Sequence, residues 1–331
     1  MKQLTLRIGL TGLACICASV ILQAGTITYN FQSVSNPNDV TFTQLLGINN
    51  ASTIAGYFGS GATGHPNQGF TLTLPNSFTP ENFPGSAQTQ VIGINNAGNT
   101  TGFYVDTGGV THGFTKTGGT FTNVDFPNTT STLTQLLGIN DGSKEAGYWQ
   151  NAAGTQFPFV VQGTTFKGLD SLLPANTSAQ ATGVNNAGEI SGFYLTNAGA
   201  DAFGFLLNGS ALTSLEFPGS TFTQALGLNN NGDVVGVYTD AAGNNHGFVY
   251  SISSGTFQTV DDPLAVGPAG TIINGINDSG RIVGFYGDAA KNTIGLVGTP
   301  TPELSSLLLV GTGLAGLIGL TLTRSLRQQR A

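Results

Sequence analysis

The tripeptide Gly-(Ile/Val/Leu)-Asn occurs six times, starting at Gly47, Gly93, Gly138, Gly183, Gly227 and Gly275, so successive copies lie 44 to 48 residues apart. Each copy is followed by a further Gly and then by two large residues, an aromatic pair in five copies and Val237-Tyr238 in the fifth. A unit of this length cannot bury its own apolar surface. It must pack on its neighbours, which points to a solenoid or a β-propeller.

The second copy shows what one unit contains. Gln88 to Asn95 reads as a strand, Asn96-Ala97-Gly98 as a turn, Thr100 to Val105 as a strand and Asp106-Thr107-Gly108-Gly109 as another turn. Val110 to Lys116 and Thr120 to Asp125 add two more strands, giving four antiparallel strands joined by Gly and Asn/Asp turns. Four short strands per unit match a propeller blade. Segments such as Gln90-Val91-Ile92-Gly93-Ile94 and Gly102-Phe103-Tyr104-Val105 are apolar on both faces, as expected of sheets covered on either side.

The ends of the repeat array decide between a ring and an open stack. Gly25-Thr26-Ile27-Thr28-Tyr29-Asn30-Phe31, ahead of the first copy, has the pattern of a fourth strand such as Gly119 to Asp125, whereas the sixth copy lacks that strand. The sequence therefore predicts an all-β domain over residues 25–298, a six-bladed propeller of four-stranded antiparallel blades closed by an N-terminal strand. An open or irregular β-array is the alternative, and it would need capping repeats that the sequence does not display.

Outside the repeats the chain carries two apolar segments. Lys2 and Arg7 precede an uncharged run from Ile8 to Ala24, which reads as a secretory signal peptide over residues 1–24. Cys15 and Cys17, the two cysteines, both fall inside it. Leu304 to Thr323 is free of charge and is followed by Arg324, Arg327 and Arg330, the pattern of a C-terminal transmembrane helix with a cytoplasmic basic end.

Two family resemblances follow from particular residues. Thr301-Pro302-Glu303-Leu304, the apolar run containing Gly311-Thr312-Gly313-Leu314-Ala315-Gly316-Leu317, and the terminal arginines together resemble a PEP-CTERM sorting signal over residues 299–331. The resemblance implies a Gram-negative envelope protein whose sorting motif, here Pro302 and Glu303, is recognised by an exosortase. It also implies a host that makes extracellular polysaccharide. Leu304 stands where the family has a second proline. The His-Gly-Phe pieces at His112 and His246, with Gly-Ile-Asn-Asn-Ala-Gly and Gly-Phe-Tyr, resemble the HAF repeat of extracellular bacterial proteins.

Charge narrows the partners. Of 10 Lys and Arg, five lie in the two end segments, and of 17 acidic residues only Glu303 does, so the repeat body carries 5 − 16 = −11. Nucleic-acid binding rests on neutralising phosphates with Lys and Arg, and it does not suit this surface. No cofactor motif is present.

Several repeated residues invite a site. Asn49, Asn95, Asn140, Asn185, Asn229 and Asn277 share one position, where an amide caps its own turn. Phe58, Tyr104, Trp149, Tyr194, Tyr238 and Tyr286 form an aromatic series that could stack on sugars or serve as inter-blade core. Asp106, Asp240 and Asp288 stand at turn starts, and His65 is out of register with the other two histidines.

The residues that depart from the repeat, Glu81, Lys144, Glu145, Lys167 and Asp201, read as solvated turn residues. The functional expectation is a non-enzymatic surface or matrix propeller, exported and sorted by an exosortase, with polysaccharide or envelope partners. The alternative is a secreted propeller hydrolase or lyase acting on glycans or lactones. It would require deviant carboxylates to meet a histidine at one mouth of the ring.

Overall fold

The computed structural model describes residues 27–128 and 130–301. The signal-peptide reading, both cysteines, Pro302, Glu303 and the helix expected over 304–323 lie outside the described residues. Among the described residues no helix is long and apolar enough to cross a membrane.

The chain is a β-propeller made of six four-stranded antiparallel units. Unit two consists of Gln88–Ile94, Thr100–Val105, Thr111–Thr117 and Thr120–Val124, within a residue or so of the strands expected from its turns. The last unit, Thr271–Ile276, Ile282–Gly287 and Thr293–Pro300, takes its fourth strand from the start of the domain. That strand is Tyr29–Val34, a few residues later than Gly25 to Phe31, and it pairs antiparallel in continuous register from Tyr29↔Pro300 to Val34↔Gly295.

Every first strand carries a β-bulge at the same place, between Leu45 and Gly47 in unit one and between Ile273 and Gly275 in unit six. A bulge adds a residue without a partner and re-aims its side chain. The residue so displaced (Leu46, Ile92, Leu137, Thr182, Leu226 or Asn274) lines the central channel. The repeated glycine beside it is required by close approach: a Cβ on Gly138 would lie 2.8 Å from Gly183 Cα and 2.8 Å from the Thr182 carbonyl oxygen of the next unit.

Burial is graded from the axis outward, which refines the expectation of two covered faces. Second strands such as Asp233–Thr239 are buried along nearly their whole length, whereas first strands such as Phe222–Leu228 alternate, one face meeting the channel. Fourth strands such as Ala211–Leu215 are mostly exposed.

The core is divided among the interfaces between units. Ala146 and Val160 of unit three pack with Ala181 and Phe205 of unit four, and Ile54 and Phe70 of unit one pack with Val283 and Val297 of unit six. Phe70, Phe114, Phe159, Phe205 and Phe248 hold one position on successive third strands and are fully buried. At ~1.5–3 kcal/mol for each buried large apolar side chain, these repeated wedges are a main source of cohesion.

Candidate functional site

Three cavities stack along the axis, and the one at the Asn end is built by hydrogen bonds. In each unit the Asn after Gly-(Ile/Val/Leu) accepts the amides of its own turn, as Asn95 Oδ1 does from Ala97 and Asn99 at 3.1 and 3.0 Å. Its Nδ2 then donates to the carbonyl of the same residue in the next unit, Asn49 to Asn95 at 3.1 Å and Asn140 to Asn185 at 2.9 Å. Turn capping was legible in the sequence. The stitch between units was not, because it depends on the curvature of the ring.

The following residue makes a second circle. Asn50, Asn96, Asp141, Asn186, Asn230 and Asp278 each donate the backbone amide to the side-chain oxygen of the next member at 2.8–2.9 Å. Asp141 Oδ2 also accepts Asn96 Nδ2 and Asn186 Nδ2 at 2.9 and 2.7 Å. Burial pushes the Asp141 carboxyl up, but these amide donors outweigh it and hold the carboxyl below the usual range. With their oxygens committed to amides, Asp141 and Asp278 are part of the seam.

None of the six aromatic candidates lines the axial cavities; Tyr57 and Phe103, the residues just before Phe58 and Tyr104, do. Tyr194, Tyr238 and Tyr286 are buried between units, and Phe58, Tyr104 and Trp149 are half-buried. In unit two Tyr104 is sandwiched between Phe83, at 3.8 Å and 4°, and His112 at 5.1 Å. Unit five repeats this with Phe217, Tyr238 and His246.

Trp149 stands in a different stack. Phe126 lies on one side at 5.2 Å and Phe157 on the other at 4.5 Å, with interplanar angles of 12° and 17°. Phe157 occupies the register held by His112 and His246 in their units. It also lines a cleft of about 550 Å³ between units three and four, with Asp170, Ser171, Asn176 and Thr177 on the wall and Leu173 and Pro174 beside them. Phe157 escaped the sequence reading because it breaks the His-Gly-Phe pattern, and that departure was the available signal.

Both histidines that share a register are held between two carboxylates. His112 faces Asp125 through Nδ1 at 2.8 Å and Asp106 through Nε2 at 3.6 Å, and His246 faces Asp261 at 2.7 Å and Asp240 at 3.3 Å. Asp106, Asp240 and Asp288 also cap their turns, each Oδ1 accepting two amides, as from Gly108 and Val110 at 2.8 Å. Among the described residues no group of three or more His, Cys, Asp or Glu is arranged to hold a metal ion. His65 pairs separately, with Asp39 at 3.1 Å.

Two deviant residues contradict the expectation of solvated turns. Glu81 and Glu145 are 3% and 5% exposed. Glu81 accepts from Thr100 and from Lys116 Nζ, the latter at 2.7 Å, at the interface of units one and two. Glu145 stands where four of the other five units place Ile or Val, namely Ile54, Ile190, Val234 and Ile282, and accepts from Thr115 Oγ1 at 2.6 Å. Burial pushes its carboxyl up to about 7, against the lowering effect of Thr115 and Thr101. A carboxylate at an apolar register, paired across units with a threonine, was hidden by the distance between them in sequence. Neither glutamate is brought together with a histidine at a mouth of the ring. Lys167 is exposed, and Lys144 and Asp201 are partly so.

No protein-family model and no curated protein matches this chain. Among solved structures it is similar to a fucose-specific lectin from Aleuria aurantia, at 11% identity and TM-score 0.48 over 80% of this chain and 98% of that one. A triple arginine-to-alanine mutant of AofleA from Arthrobotrys oligospora gives 11% and 0.48 over 83% and 88% of the two chains. TolB from Acinetobacter baumannii gives 12% and 0.48 over 76% and 65%.

Proposed function

We propose that this protein is an exported, non-enzymatic propeller of the cell exterior that binds polysaccharide, with exosortase-dependent sorting through Pro302 and Glu303. One observation carries the binding reading: the Phe126–Trp149–Phe157 stack, whose terminal ring lines the cleft between units three and four. Saccharide rings present flat C–H faces to an aromatic ring and hydroxyls to the polar groups around it. The cleft supplies both, with Phe157 as floor and Asp170, Ser171, Asn176 and Thr177 as acceptors and donors. The −11 repeat body favours a neutral partner over a polyanion.

Protein purified from its native envelope is retained on immobilised exopolysaccharide of the same cells, and Phe157→Ala reduces that retention. Trp149, the single tryptophan, lies 4.5 Å from Phe157, so its emission responds to occupancy. Mass spectrometry of the same material shows loss of everything after about Pro302. Absence of retention together with a purely cytoplasmic location would overturn the reading, and an intact tail would remove the exosortase from it.

A further inference from the structure

The cavity at the opposite end of the axis from the Asn seam is a cup of about 250 Å³ lined by Gln44, Gln90, Gln135 and Gln180, one from each of the first four units. All four lie three residues before the repeated glycine and are half-buried. Gln224 holds the same position in unit five and Ile272 in unit six.

Their amides are not free rotors, and what holds them differs from unit to unit. The Tyr57 hydroxyl donates to Gln44 Oε1 at 2.8 Å and the Tyr148 hydroxyl to Gln135 Oε1 at 2.7 Å, leaving these two amides to offer N–H groups. Gln90 Nε2 donates to Asn67 Oδ1 at 2.8 Å and Gln180 Nε2 to Gln156 Oε1 at 3.0 Å, leaving these two with an unengaged carbonyl oxygen and one remaining N–H. Around the cup the wholly unengaged group therefore alternates: amide NH2, carbonyl oxygen, amide NH2, carbonyl oxygen.

Asn274 lines the cup as well. It fills the bulge position where four other units have Leu or Ile and unit four has Thr182, so a polar side chain replaces an apolar one beside the cup.

We infer that this cup is a second binding site, for a neutral, hydroxyl-bearing ring such as the terminal sugar of a glycan chain. A hydroxyl both donates and accepts, so alternating amides match a polyol. A carboxylate or phosphate wants donors alone, and an ammonium acceptors alone. No acidic or basic side chain lines the cup among the described residues. Phe103 and Tyr57 provide aromatic surface on its wall, and the volume, below the ~300 Å³ at which most small-molecule pockets begin, suits one ring and not a polymer segment. The choice of a sugar rests on the polysaccharide reading above; the geometry of the cup does not.

The test is equilibrium binding of the full chain to neutral disaccharides of glucose, galactose and mannose, with glucuronic acid as the charged comparison. A neutral disaccharide binds, glucuronic acid binds more weakly, and affinity stays level from about pH 5 to 9 because no carboxylate or imidazole takes part. Gln90→Leu with Gln135→Leu weakens binding by roughly tenfold or more, each lost hydrogen bond counting for several-fold. Thermal melting and Trp149 emission report whether that variant is folded, and the selectivity between neutral and charged sugars is read on the unaltered chain. Disaccharide binding that survives the double substitution but disappears in Phe157→Ala would overturn the cup and keep the polysaccharide reading. So would polymer retention with no disaccharide binding. Glucuronic acid bound as tightly as the best neutral disaccharide would overturn the amide argument, and no binding of either kind would overturn both sites.

Discussion

Asn277 of the last unit donates its Nδ2 to the carbonyl of Asn49 in the first at 3.1 Å, the same bond that joins every other neighbouring pair. The circle therefore has no open member at the place where the chain's two ends meet, although 228 residues separate the partners.

Asn277→Ala removes that bond and the acceptor for the Ser279 and Arg281 amides, which lie at 3.1 and 3.0 Å. The expected cost is about 1–3 kcal/mol in urea unfolding, as for other buried polar groups that lose their partners. Asn229→Ala, inside the array, should cost the same. A much smaller effect at Asn277 would show that the first and last units are not joined in solution.

Glu145 makes stability depend on pH. Its carboxyl titrates near 7 in the fold and near the ordinary 4.5 in the unfolded chain, so the folded state binds more protons between these values. Its contribution to stability is then greatest below about pH 4.5, falls by ~3 kcal/mol as pH rises to 7, and is level above. Glu145→Gln removes this component of the pH dependence and stabilises the protein at pH 8, as denaturant titrations at pH 5 and 8 would show.

His246 should titrate above its ordinary 6.5. Partial burial opposes the charged ring, but hydrogen bonds to Asp261 and Asp240 and their negative charge outweigh it. Because the folded value is raised, the pair's contribution is complete below 6.5 and disappears as pH rises through the folded value. An NMR titration of the imidazole in Asp240→Asn should show the midpoint moving back down.

Much of the fold could be read from spacing alone. Six tripeptides, four strand-and-turn segments per copy and the spare strand at the front specify the topology, because turn chemistry and alternation are local properties. The candidate sites were less legible for a physical reason. The aromatic series was visible, yet which face reached solvent depended on a neighbour such as Phe157 replacing His112's counterpart. The glutamines at Gln44, Gln90, Gln135 and Gln180 were regular in sequence, but their chemistry depends on which atom of each amide is held by Tyr57, Asn67, Tyr148 or Gln156. Buried Glu81 and Glu145 looked like surface residues because their partners come from adjoining units.

The strand that completes the sixth unit also sets how the molecule bears load. Tyr29 and Pro300 are partners in register, so both ends of the domain leave from the same edge of one antiparallel pair. Tension applied between the two ends peels that pair open one rung at a time, starting at Tyr29, and never has to shear its rungs together. Tension carried through the C-terminal side alone leaves the rungs unstrained. A propeller tethered by its tail in a flowing medium would keep its ring intact, whereas one gripped at both ends would unbuckle at its weakest seam.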